Sequence, residues 1–347
     1  MTNVLPKTDL PHRRMAPPVK KPAGFEPEYV AWEPRFKASV DGVFLAMFGI
    51  EERGPDTQQV RSRLLQTFAE SDGPEILETG RVKQGYGQQG QIWFAYWRTR
   101  RDYQTWLDQQ SVRDFWLDDG LLSGDIGLWR EECWISLDHN ETSYSRDADL
   151  TGLGYLSDGL AETHIHGYWG SARDRIVAAA DSDLVGVRDA EHVARTGLGQ
   201  RVRINAPKNV CLIRTSQDLN LASAEQLGVY HNEVAPTLFA GLDFLRKEGR
   251  GEGCIGMRLV DDIDPNGSDL GRTCGIGFFN SLGDLEHWTH DHPTHGAIME
   301  SFIGMVQRFE GQPGLHLWHE ISVFPAGSLT AEYINCTGDG GLLCLAA

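Results

Sequence analysis

The sequence predicts an α+β fold in which a β-α-β-β-α-β unit occurs twice, and three observations predict it. Strand-like apolar runs alternate along the chain with stretches whose apolar residues recur every three or four positions. The segment from Tyr96 to Trp106 aligns with that from Phe278 to Trp288, sharing an aromatic pair, a Thr/Ser N-cap candidate, an Asp and the Trp. Further on, Leu128-Trp129-Arg130-Glu131 matches Leu317-Trp318-His319-Glu320. The simplest architecture is a duplicated ferredoxin-like fold of the dimeric α+β barrel type, a β-sheet or barrel core flanked by helices.

Residues 1–35 carry Pro6, Pro11, Pro17, Pro18, Pro22 and Pro27 without strand or helix periodicity, which predicts an extended arm wrapping the body. The first repeat is expected over 36–150: a strand at Val43 to Phe48, a helix from about Asp56 to Phe68, a strand at Ile92 to Trp97, and a helix from near Thr99. The second repeat is expected over 151–347. There Pro293 suits the first turn of a helix whose apolar face holds Ile298, Met299, Phe302, Met305, Val306 and Phe309, with His295 on the face of Met299, Phe302 and Val306. A strand from Leu315 to Phe324 follows; alternation puts Leu317, His319, Ile321 and Val323 on one side.

Composition narrows the function classes. The chain has 347 residues, 40 % of them hydrophobic, enough for packed cores. Its 32 basic and 49 acidic residues leave a net charge of -17, which repels a phosphate backbone or an anionic bilayer, so neither nucleic acid nor membrane is expected as a partner. No apolar run is long enough to span a bilayer and no signal-like h-region opens the chain, so a cytoplasmic protein is expected. The six cysteines form no C-x-x-C or C-x-x-C-H motif and read as buried apolar thiols.

Six of the twelve histidines fall between 287 and 319, in a local excess that suggests a metal site, an acid/base site, or both. In repeat register, Arg113 becomes His295 and Arg130 becomes His319, so both histidines are additions to the second half. A histidine in the first turn of a helix, on its apolar face, is placed to ligate a large hydrophobic cofactor; the plainer reading is a core histidine bonded to backbone. His319 is a polar group on an apolar strand face, where lack of a partner costs about 1–3 kcal/mol. His287, His290 and His292 read as surface groups near a turn, and their spacing misses the common zinc patterns. The stretch His166 to Arg175, with glycines among aromatics and two arginines, fits a loop lining a pocket as well as a plain surface loop.

Taken together, the segments H-G-Y-W-G-S-x-R-D-R (His166 to Arg175), L-I-R-x-x-Q-D (Leu212 to Asp218), G-x-D-F-L-R (Gly241 to Arg246), H-P-T-H (His292 to His295), H-E-x-S-V (His319 to Val323) and Y-I-N-C (Tyr333 to Cys336) resemble the haem-containing aldoxime dehydratases from about Trp32 onward. The resemblance implies a ferredoxin-like duplication enclosing haem b, active as Fe(II), and a homodimer that dehydrates aldoximes to nitriles. It makes His295 the proximal iron ligand and His319 the distal acid/base. Arg175 becomes the pocket arginine, ahead of Arg173, and Glu141 its acidic partner. The family's pocket serine is where this chain departs: Thr215 holds the register and Ser216 the expected chemistry, and both stay open. A ferredoxin-like haem peroxidase would share the proximal histidine but want a distal Asp/Arg pair, whereas a non-catalytic haem sensor would need no acid/base histidine.

Overall fold

The computed structural model describes residues 17–54, 57–87, 89–147, 150–187, 197–338 and 341–345. Among them thirteen strands form one antiparallel sheet: β1 (Ala31–Pro34), β2 (Gly42–Glu52), β3 (Ile76–Val82), β4 (Gly90–Trp97), β5 (Ile126–Ser136), β6 (Asn140–Tyr144), β7 (Leu160–Thr163), β8 (Arg201–Asn205), β9 (Val210–Asp218), β10 (Cys254–Ile263), β11 (Asp269–Phe279), β12 (His316–Phe324) and β13 (Leu329–Ile334). The helices are α1 (Thr57–Phe68), α2 (Arg100–Leu107), α3 (Gln110–Leu117), α4 (Ser171–Arg175), α5 (Ala224–Val229), α6 (Ala235–Lys247), α7 (Leu282–Asp291) and α8 (Pro293–Arg308). No helix among the described residues is long and apolar enough to cross a membrane.

The strand order is β7-β1-β6-β12-β9-β11-β10-β3-β4-β2-β5-β13-β8. Two β-α-β-β-α-β units are visible in it, β2 to β5 arranged β3-β4-β2-β5 and β9 to β12 arranged β10-β11-β9-β12, joined edge to edge by β10 and β3. The matched N-caps are present in both: Thr99 accepts from the Asp102 amide and Ser281 from the Asp284 amide, each at 3.1 Å.

One expectation is corrected. The sheet is open, with β7 and β8 at its edges, so the described pairings do not close a barrel; sequence patterning counts strands but does not say whether the last meets the first. Within the expected arm Ala31–Pro34 pairs with β7 and, at Trp32, with β6; residues 1–16 lie outside the described residues. Strand pairing crosses residue 150: β6 pairs with β12, and β13 returns to pair with β5.

Both sheet faces are covered, which explains the continuous apolar run of β2. Val43, Leu45 and Met47 enter a core shared by both units, while Phe44, Ala46, Phe48 and Ile50 pack with α1, α2 and α3. The shared core also encloses charge. Arg214 is buried with Glu320 at 3.3 Å and Glu78 at 3.2 Å, lies 3.9 Å from the Phe94 ring centroid and donates to Tyr96. In the other half Arg258 grips Glu131 with two hydrogen bonds, of 2.9 and 3.1 Å. All six cysteines are buried and free.

Arg214→Met should lower stability by about 3–5 kcal/mol, because it strands two carboxylates in the interior. Lys247→Met, which breaks the exposed pair with Asp243, should cost less than about 1 kcal/mol. Urea denaturation of both variants checks the contrast.

Candidate active site

Strand β12 lies between β6 and β9, and its register lines up Ser143, His319, Thr215 and Gly275 across four strands. Glu141 opposes Ile321, two residues along from His319, and so presents its carboxylate on the same face. That face carries Ile321 and Val323 into the core beneath the second unit's helices, whereas Trp318 and Phe324 face the shared interior.

Glu141 has no exposed side-chain surface, so its charge needs partners. Arg175 supplies two, Nε and Nη2 donating to Oε2 at 2.8 and 2.6 Å, while Nη1 donates to the Ile165 carbonyl. Burial by itself pushes the Glu141 carboxyl up, but the Arg175 guanidinium and the His319 imidazole together hold it below the ordinary value of 4.5. His319 Nε2 lies 3.1 Å from Glu141 Oε1 and 3.2 Å from Arg175 Nη2. Protonated, this nitrogen faces an acceptor; unprotonated, it faces a donor. Its ring stays about a third exposed (34 %), as a group that exchanges protons with a bound molecule requires.

The segment carrying Arg175 is held from both sides. Gly170 opens α4 at φ 90°, and a Cβ there would approach Lys20 to 2.8 Å, so both backbone angle and space call for glycine. Asp174, buried beside Arg175, accepts from the Val19 and Lys20 amides and from the Tyr168 hydroxyl, which ties the arm to α4. The Tyr29 ring meets that of buried His166 at 4.8 Å.

His295 lies in the first turn of α8. Burial pushes its pKa down to about 4, outweighing a nearby Thr289 carbonyl, and its Nδ1 is buried with no hydrogen-bond partner among the described residues. The ring is therefore neutral, the form that binds a metal. Of the apolar face of α8, Met305 alone is buried; Ile298, Met299, Phe302, Val306 and Phe309 are half-covered. A neutral histidine beside an incompletely covered apolar face fits a flat apolar cofactor with one axial protein ligand. No group of three or more His, Cys, Asp and Glu side chains among the described residues could hold a bare metal ion.

The structure thus brings His319, Arg175, Glu141 and Thr215 together and sets His295 apart on α8. Ser216 is buried on the opposite face, opposite Trp318 and Cys274. Arg173 turns away to a bidentate pair with Glu286. His287 and His290 are exposed beside Asp291, but His292 is the N-cap of α8 and stacks on Phe244 at 4.3 Å. Counted from the first residue of each helix, His295 corresponds to buried Val112, not to exposed Arg113; α7 is ten residues long against eight in α2, so the repeat register slips there. Asp174, His166 and Trp288 were missed as participants, although each lies in a segment already singled out. A cavity of about 870 Å³ beyond Arg173, lined by Lys20, Asp174, Ser281 and Glu286, includes none of the expected site residues.

Comparison with known proteins places the geometry in context. The family model described as haem-containing dehydratase matches residues 46–342. The chain is 32 % identical over 327 residues to phenylacetaldoxime dehydratase of Bacillus sp. (strain OxB-1), covering 93 % of each chain. It is also 32 % identical over 328 residues to aliphatic aldoxime dehydratase of Rhodococcus globerulus, covering 93 % of this chain and 92 % of the relative. The crystal structure of an aldoxime dehydratase in complex with butyraldoxime superposes with a TM-score of 0.83 at 31 % identity, over 93 % of this chain and 91 % of that one. A second aldoxime dehydratase crystal structure also gives 0.83, at 30 % identity, over 95 % and 97 %.

Because the Glu141 carboxyl is held low in the native state, it contributes stability that is present above its ordinary value of 4.5 and lost as pH falls through the lower native value. Glu141→Gln should therefore flatten the acid limb of stability below the ordinary value of 4.5, read from urea midpoints against pH. An acid limb of unchanged slope would contradict the pairing.

Proposed function

The chain belongs to the haem-containing dehydratase family, and on that footing we propose that it is a lyase dehydrating aldoximes, R-CH=N-OH, to nitriles and water. One observation carries the assignment of roles: the nitrogen of His319 lies between a carboxylate and a guanidinium, so the ring is accommodated with or without its proton. We read the two β-α-β-β-α-β units as a ferredoxin-like duplication, with their shared strand order as support. A cytoplasmic homodimer, as the resemblance implies, belongs to the same reading.

His295 would hold haem b from the proximal side, with Met299, Phe302 and Val306 as part of its apolar wall. Haem, when bound there, would supply an iron able to accept a nitrogen ligand and, as Fe(II), to donate electron density. His319 delivers a proton to the departing oxygen, releasing water. The neutral ring then takes the proton from carbon, so a single group serves as acid and then base, with a contribution of about 10²–10⁴-fold. Glu141 keeps the imidazole oriented, and Arg175 orients the N–OH group and stabilises its developing negative charge. Thr215, directly across from His319, supplies the hydroxyl; the register favours it over Ser216.

Assayed on an aldoxime under dithionite, with the ferric enzyme as a slow control, His319→Ala should keep its haem and lose at least about a hundredfold in kcat. Haem loss in that variant, with haem retained in His295→Ala, would reverse the two roles. Thr215→Val should lose about 10²-fold, the typical effect of removing one preorganised donor, while Ser216→Ala stays within about twofold. Steady-state kinetics of the pair decide which hydroxyl serves.

A further inference from the structure

The H-P-T-H segment does more than present one ligand. His292 caps α8, accepting from the Thr294 amide at 3.3 Å, and its Nδ1 lies 2.8 Å from the Thr294 hydroxyl. That hydroxyl accepts from Trp288 Nε1 at 3.1 Å. Because His292 Nδ1 accepts from the Thr294 amide, it acts as an acceptor toward the hydroxyl as well: Trp288 donates to Thr294, which donates to His292 Nδ1. The buried Trp288 indole meets the His295 ring edge-on at 4.8 Å and 70°, and the exposed Trp169 ring lies 6.1 Å away.

The first unit shows what this tryptophan does when packing is its only task. Trp106, its counterpart on α2, is fully buried among Phe48, Phe68 and Trp97, and its Nε1 donates to the Thr67 carbonyl at 2.7 Å. In the second unit the same indole donor is redirected onto the turn that carries His295.

We propose that Trp288, fixed by the Thr294 hydroxyl, is a positioning residue for the His295 imidazole, setting its ring plane. This rests on the reading that His295 holds the haem iron. Groups that orient a ligating histidine typically change metal affinity by about 10–100-fold when removed. Indole and hydroxyl here act on the ring beside the nearby Thr289 carbonyl.

The test uses holoenzyme of Trp288→Phe, which keeps a ring but loses the donor, and of Thr294→Val and Thr294→Ser. Transfer of haem to excess apomyoglobin gives the dissociation rate, and the Fe(II)–His stretching band in resonance Raman spectra gives the ligand's orientation and bond strength. Trp288→Phe and Thr294→Val should each release haem at least about tenfold faster with a shifted band, and Thr294→Ser should restore both to parental values. Parental rates and bands in Trp288→Phe and Thr294→Val overturn the proposal, and so does a Thr294→Ser variant as impaired as Thr294→Val, since any packing change would then suffice. His295→Ala separates the two levels. If it keeps a normally ligated haem, the ligand assignment itself falls; if it loses haem while the Trp288 and Thr294 variants stay parental, only the positioning role falls.

Discussion

The site depends on the burial of one carboxylate. Glu141 is enclosed on the sheet, where an uncompensated charge would cost several kcal/mol, so the structure must bring cations to it. Arg175 answers from α4, and with it comes the segment 165–175, anchored through the Ile165 carbonyl and through Asp174 to the arm. The remaining carboxylate oxygen faces His319. Arm, α4 and strand β12 thus meet around one charge, and His319 lies against the same pairing that makes the burial tolerable.

The two β-α-β-β-α-β units share a strand order and differ on their helix sides. The two units share an interior with two Glu-Arg-Tyr clusters, each against a tryptophan and each built from strands of both, Glu131 with Arg258, Tyr333 and Trp129, and Glu320 with Arg214, Tyr96 and Trp318. On the helix side they part. Arg130, the counterpart of His319, is sealed beneath Trp116 and paired with Glu332 at 3.0 Å, and the surrounding face is filled with aromatic side chains. In the second unit that position is a half-exposed histidine and the covering helix keeps apolar residues only half-buried. The first unit's face is spent on stability, while the second leaves space and exchangeable protons.

Much of this was legible from local patterns. The Thr99 and Ser281 caps, the Pro293 start of α8 and the facing of His319 with Ile321 and Val323 each depend on a few consecutive residues, and each is present in the structure. The slip that pairs His295 with Val112 arose because helix length, unlike periodicity, depends on what the helix end packs against. The Trp288–Thr294 bond escaped notice because it links two helices across a turn.

By itself the sequence determined the repeated unit, the residue types of the site and the alternation that separates Thr215 from Ser216, since strand and helix periods and caps are set by near neighbours in the chain. Only the tertiary structure decided which of the two hydroxyls shares the face of His319, because that depends on the register of β9 against β12. It alone brought Arg175 to Glu141 and His319, across 34 and 144 residues of chain, and left the sheet open at β7 and β8. Register, closure and charge pairing arise from hydrogen bonds and desolvation between distant segments, and no local period encodes them.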